Sequence, residues 1–225
     1  MAAPRNLTFV NEYVYHIFNR GIEHRNIYTT PNDYSRFVML LDYYRYQNPR
    51  LSFSHFLSLP FEQREVYLQE LHSLPVAIEI LAYCLMPNHF HLIVRQTTTD
   101  GIKRSIANIS NGFAKYTNTK KHRIGPLYQG VFKAVLVETD EQLVHLSRYV
   151  HINPVVSSII TLKALETYPW SSFSHYLGLS QSSFVNSKPV LTSFSKQNPY
   201  KDFVYDQIDY GKKLEQIKHL FLEEV

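Results

Sequence analysis

A chain of 225 residues and 26.4 kDa is one large domain, or one domain with an appendage, and excludes a long multidomain machine. Hydrophobic residues at 44%, with 17 Tyr and 14 Phe, can build a substantial core and exclude a disordered chain. The formal charge of +4 is unevenly spread: Gly101 to Lys133 holds seven basic residues and no acid, leaving 16 basic against 19 acidic residues elsewhere, a pattern expected where a polyanion binds.

The N-terminus, MAAPRNLTFVNEY, has no apolar core behind a charged start, so no signal peptide is expected. The longest apolar run, Val76 to Met86, contains Glu79 and falls well short of the ~20 residues of a membrane-spanning helix. The single cysteine, Cys84, cannot form an internal disulfide, and a reducing, cytoplasmic setting follows as the expectation.

In chain order, Tyr13-Val14-Tyr15-His16-Ile17-Phe18 alternates as a strand does and runs into an Asn19-Arg20-Gly21 turn. Thr30-Pro31-Asn32-Asp33 combines a cap residue, Pro at the first helical position and an acid after it. Tyr34, Phe37, Val38 and Leu41 follow at helical spacing, predicting a helix to about Asn48-Pro49. Residues 50–75 read as an insertion with a weak helical pattern over Phe61 to Leu71. From Val76 to Arg95 two β-prone runs flank the turn Met86-Pro87-Asn88. Ile102, Ile106, Ile109 and Phe113 then mark one face of a helix whose other face holds Lys103, Arg104 and Lys115.

Phe132 to Val137 is a further strand. Thr139-Asp140-Glu141-Gln142 is a capping box that opens a helix with Leu143, Leu146 and Val150 buried, and Pro154 is expected to end it. The order β, α, β, β, α, β, α predicts an α+β fold, a ferredoxin-like split βαβ antiparallel sheet with helices on one face and one additional C-terminal helix. Residues 1–178 form the predicted domain. Residues 179–225 are an extension, with a terminal helix expected over Tyr205 to Val225.

Two groups of residues can carry chemistry. His89 and His91 flank Phe90 on the second hairpin strand, where residues i and i+2 share a face and two imidazoles can meet one ion. A bare His-x-His is also the ordinary signature of two half-exposed polar strand positions. On the last helix Tyr149 and Asn153 stand at i and i+4, with His145 one turn earlier. Flank packing by Tyr and end-capping by Asn are the favoured account of that pattern taken alone.

Taken together the two groups resemble a family. Leu85-Met86-Pro87-Asn88-His89-Phe90-His91-Leu92, followed some sixty residues later by Tyr149-Val150-His151-Ile152-Asn153-Pro154-Val155, is similar to the HUH-class single-tyrosine transposases, in particular the REP-associated tyrosine transposases of bacteria. Gly125-Pro126-Leu127-Tyr128-Gln129-Gly130 resembles the family's Gly-x-Leu-x-Gln-Gly segment, and Tyr168-Pro169-Trp170-Ser171-Ser172-Phe173 its Pro-Trp-Ser-Ser ending. The resemblance covers about Tyr13 to Gly178.

The resemblance implies a divalent ion, Mg2+ or Mn2+, held by His89, His91 and Asn153, with Tyr149 on the catalytic helix as nucleophile. The product would be a 5′-phosphotyrosine link and a free 3′-hydroxyl. His145 and His151 are candidates by position for a general base or phosphate contact. The implied partner is single-stranded or hairpin DNA, as in repetitive palindromic elements, with no membrane, in a bacterial cytoplasm near the nucleoid. One Tyr makes one covalent link at a time, so full excision and reinsertion need two turnovers or two sites, for which a homodimer is one arrangement. Lys103, Arg104, Lys115, Lys120, Lys121, Arg123 and Lys133 then read as the DNA surface framing the active site. Tyr116 and Tyr128, with Phe113 and Phe132, interleave with them as candidate stacking platforms, each of which core packing also explains. A domesticated relative that binds DNA or RNA hairpins without cutting them is the alternative. A replication initiator or relaxase is disfavoured by the short chain.

Overall fold

The computed structural model describes residues 7–182, 184–194 and 200–206. Its centre is a four-stranded antiparallel sheet of β1 (Val14–Arg20), β2 (Ile78–Met86), β3 (His89–Gln96) and β4 (Lys133–Val137), in the order β2-β3-β1-β4. This is the predicted split βαβ arrangement. β1 and β2 run parallel to each other on either side of β3, which is antiparallel to both.

The pleat gives each face its own purpose. Tyr15, Ile17, Phe90, Leu92 and Val94 point to one side, where α1 (Pro31–Tyr44) and α4 (Gly101–Lys120) cover them. There Phe37 packs on Phe90 at 5.0 Å and on Phe113 at 5.3 Å between ring centroids. The buried stripe Ile102, Ile106, Ile109 and Phe113 is the one its spacing predicts. His16, Phe18, His89, His91 and Ile93 point to the other side, which the additional helix α5 (Asp140–Val156) partly covers.

The capping box at Thr30 and Asp33 starts α1 as expected, but the helix stops at Tyr44 rather than near Asn48. A tertiary pairing wins there: Tyr46 bridges Val76, and the carbonyl of Arg45 accepts from the N–H of Ala77. The insertion forms two helices, α2 (Phe53–Ser58) and α3 (Phe61–Ser73), of which α2 is not evident in the sequence pattern. Its Phe53, Phe56 and Tyr67 pack against Tyr43 of α1.

α5 opens on Thr139, whose hydroxyl accepts from Gln142 N–H. Contrary to expectation it runs through Pro154 to Val156. The proline removes one donor, but burial of Ile152, Val155 and Pro154 itself holds the last turn in place.

The chain after Pro154 contributes no regular strand among the described residues, yet it protects the β2 edge. Leu85 N–H donates to Trp170 C=O and Ser172 N–H to Tyr83 C=O, so the Pro-Trp-Ser-Ser segment lies along β2. Short helices α6 (Phe173–Tyr176), α7 (Lys188–Leu191) and α8 (Tyr200–Tyr205) follow. Val185, Val190, Tyr200 and Val204 are buried, so the described part of the 179–225 extension packs into the domain. The helix predicted over Tyr205 to Val225 lies almost wholly outside the described residues.

Candidate active site

The β1–β3 register places Phe18 opposite His91 and His16 opposite Ile93, so His16 and His91 are diagonal neighbours on one face. His16 Nε2 lies 2.9 Å from His91 Nδ1, and the two rings stack at 5.1 Å. His89 stands edge-on to His91 at 4.9 Å. Tyr149 of α5 comes down on this group, its ring edge-on to His91 at 5.5 Å and to His16 at 6.3 Å. At 42% exposure, Tyr149 remains reachable from solvent. The two motifs some sixty residues apart thus meet because β3 is a central strand and α5 crosses its open face.

The turn before β3 holds His89. Its Nδ1 is 2.6 Å from Asn88 Oδ1, and Asn88 Nδ2 donates to the His24 carbonyl, which fixes the amide orientation and makes His89 the donor at Nδ1. That turn is itself clasped, since Gly21 N–H donates to Asn88 C=O and both Ile27 and Tyr28 N–H groups to Pro87 C=O. Gly21 is required for the clasp, because a Cβ there would collide with the Arg25 carbonyl oxygen.

Burial pushes the His16 imidazole down to about 4. Burial, then the positive charge of Arg20 and His24, likewise hold His89 at about 4. Both are therefore neutral near pH 7, the protonation state a metal ligand needs. With its Nδ1 proton given to Asn88, His89 presents Nε2, the pattern common among metal-bound imidazoles. The neutral His89, with the His91 ring beside it at 4.9 Å, fits a divalent ion. Among the described residues no three His, Cys, Asp or Glu side chains converge as a metal-holding group, so an amide would have to complete the set. Asn153, one turn beyond Tyr149, is 6% exposed, and its Oδ1 accepts from Ser157 Oγ at 3.3 Å.

Several expected site residues stand elsewhere. His151 is fully buried, with Nδ1 at 2.7 Å from Tyr200 Oη and Nε2 at 2.8 Å from Ser172 Oγ, so it belongs to the core and cannot act as base or phosphate contact. His145 pairs through Nδ1 with Arg148 and lies against Phe203.

The basic window does not frame the site as a whole. α4 covers the opposite face of the sheet, so Lys103, Arg104 and Lys115 lie away from Tyr149. Lys120 is committed to the buried carboxylate of Asp33 at 2.6 Å, and the Tyr116 hydroxyl donates to the same carboxylate. Tyr116 also takes Arg36 on its ring, and Tyr128 is buried against Phe90, so neither offers a stacking platform. Phe113 is buried core, and Phe132 stacks on Phe9.

Lys121 and Arg123 stay at the end of α4, where their N–H groups donate to Thr117 and Asn118 C=O, but the segment 127–133 returns to the site. Gln129 N–H donates to Arg20 C=O, Ile22 N–H to Leu127 C=O, and Asn19 Nδ2 to Gly130 C=O. Lys133 then opens β4 opposite Phe18, on the His16 face. Arg20, opposite His89, shares that face and is exposed. Composition singled out neither Arg20 nor His16. Only the strand register brings them to the site.

Burial alone pushes the Asp33 carboxyl up. Hydrogen bonds from Lys120, from the Thr29 backbone and hydroxyl, and from Thr30 N–H outweigh it and hold the group well below the usual carboxylate range. A carboxylate depressed in the folded state contributes stability above its unfolded pKa of about 4 and loses it as pH falls. Lys120→Ala is therefore expected to raise the Asp33 pKa, seen by NMR titration, and to move acid unfolding to higher pH.

No protein-family model matches the chain. Over 122 residues it is 26% identical to a Haemophilus influenzae protein provisionally named a REP-associated tyrosine transposase, a match covering 50% of this chain and 67% of that one. A solved structure of the REP-associated tyrosine transposase bound to a REP hairpin shares the fold, with a TM-score of 0.55 at 14% identity over 83% of this chain and 98% of that one. The chain is thus similar in sequence to a protein given the name of a REP-associated tyrosine transposase, and similar in fold to a solved structure of one.

Proposed function

We propose that this protein binds hairpin and single-stranded DNA and cuts and rejoins it through Tyr149, in the manner of a transposase. The observation that carries the reading is the placement of a half-exposed Tyr149 edge-on to His91 and His16, with His89 beside them, on the open face of the sheet. In the proposed step the Tyr149 oxygen forms a bond to phosphorus while the bond from phosphorus to the 3′ oxygen breaks. The tyrosine proton leaves to solvent or a base, and the 3′ oxygen takes up a proton as a hydroxyl. The phosphotyrosine conserves the energy of the broken bond, so the reverse reaction can rejoin strands without a high-energy cofactor.

His89 and His91, with Asn153 as the amide ligand, are the residues proposed to hold Mg2+ or Mn2+. When bound, such an ion polarises the scissile phosphodiester and neutralises charge on its oxygens. Arg20 and Lys133 are proposed to receive flanking phosphates, since both stand on the Tyr149 side.

The test is incubation with single-stranded hairpin DNA and Mn2+. A denaturant-stable protein–DNA adduct is expected, it should vanish with a chelator, and its absence with hairpins of varied sequence would leave only a binding function. Lys133→Ala and Arg20→Ala should each weaken hairpin binding and reduce the salt slope by about 1, whereas Lys103→Ala and Arg104→Ala should leave both unchanged. Equal losses in both sets would put the DNA on the α4 face.

A further inference from the structure

The proposed function uses His89, His91 and Tyr149 but gives no role to the third imidazole on the same face. His16 is on β1, outside both motifs, half-buried, and its Nε2 is 2.9 Å from His91 Nδ1. A hydrogen bond between two neutral imidazoles needs one N–H and one lone pair. If His91 donates from Nδ1, its Nε2 carries a lone pair, the form in which an imidazole binds a cation. If His16 donates instead, His91 is protonated at Nε2 and cannot ligate through it.

The remaining contacts bear on the same choice. The His16 ring stacks on His91 at an interplanar angle of 20° and meets Phe18 at 4.9 Å, while Tyr149 stands across it. The ring is thus held in register with His91 by packing as well as by the hydrogen bond. His89 has the corresponding support on its own Nδ1 from Asn88 Oδ1. Each imidazole of the His pair therefore has one nitrogen engaged by a dedicated neighbour.

We infer that His16 is a positioning residue: it accepts the Nδ1 proton of His91 and so fixes both the tautomer and the ring orientation with which His91 faces a divalent cation. The inference rests on the reading of His91 as a cation ligand. It goes beyond that reading in giving His91 its orienting partner, at a position that neither motif contains.

The full-length chain labelled with 15N, free of metal and near neutral pH, supports a long-range correlation spectrum of the imidazole nitrogens. His91 is assigned in it by its loss in His91→Ala. Wild-type His91 is expected as the Nδ1–H tautomer. His16→Phe should move it to Nε2–H, whereas His16→Gln, whose amide oxygen can accept, should retain Nδ1–H. Mn2+ titrated into the same proteins should bind His16→Phe about 10–100-fold more weakly than wild type, with the Gln variant between them.

The Gln variant keeps the question open to test even where Phe disturbs the fold. An Nε2–H tautomer in the wild type, or an unchanged tautomer and Mn2+ affinity in His16→Phe, overturns the inference. Should wild-type protein bind no Mn2+, the cation reading itself fails, and the tautomer spectrum separates that failure from the failure of the His16–His91 pairing.

Discussion

Tyr149→Phe is expected to form no covalent adduct with hairpin DNA while binding the hairpin as tightly as wild type. The substitution removes only the phenolic oxygen. The ring, whose edge rests on His91 and His16, keeps its place, so the geometry that receives the phosphodiester survives. Without that oxygen no phosphotyrosine bond can form, and loss of a covalent nucleophile costs on the order of 10^6 in rate. Gel analysis under denaturing conditions reads the adduct, and a filter or anisotropy assay reads binding. A retained adduct would move the nucleophile to another tyrosine. Tyr116 and Tyr128, which lie in the basic window, are respectively tied to Asp33 and buried against Phe90, so neither is placed to take over.

The second large effect is on stability. His151→Ala is expected to destabilise the protein by about 3–5 kcal/mol, through the cavity left by a buried ring and through Tyr200 Oη and Ser172 Oγ losing a partner. Tyr200 retains Ser147, and Ser172 retains the Tyr83 backbone, which keeps the loss from being larger. Urea unfolding measures it, and a loss below about 1 kcal/mol would mean that the hub contributes little. His151→Gln, which can reach one of the two hydroxyls, should lie between.

The same residue sets a pH dependence. Burial pushes the His151 imidazole down to about 3, below its unfolded value of about 6.5. The unfolded chain therefore binds a proton that the folded chain refuses across this interval. The contribution to stability is complete above about 6.5 and declines as pH falls toward 3. The alanine variant should unfold with a shallower dependence over that window.

The elements were legible where local chemistry sets them. The period-2 run of β1, the cap at Thr30 and the stripe from Ile102 to Phe113 each announce themselves within a few residues. The end of α1 was not legible, because the Tyr46–Val76 pairing that stops it joins positions thirty residues apart. Pro154 misled for a similar reason, since its local preference yields to the burial of α5 against the sheet. In the site, the His-x-His and the Tyr149 turn are sequence signals. His16 is one polar residue in an alternating strand, and its meaning depends on a register that no local pattern encodes. The basic window looked uniform only in one dimension. The pleat and the two faces of the sheet divide it, and a carboxylate at Asp33 claims Lys120 from across the α1–α4 interface.

Covering β2 with the Trp170–Ser172 segment also decides how this sheet can meet another molecule. A strand extends a sheet only at an edge with unpaired N–H and C=O groups, and among the described residues the margin so left is β4, five residues long and opened by Lys133. Strand addition is thereby confined to the margin that carries Lys133.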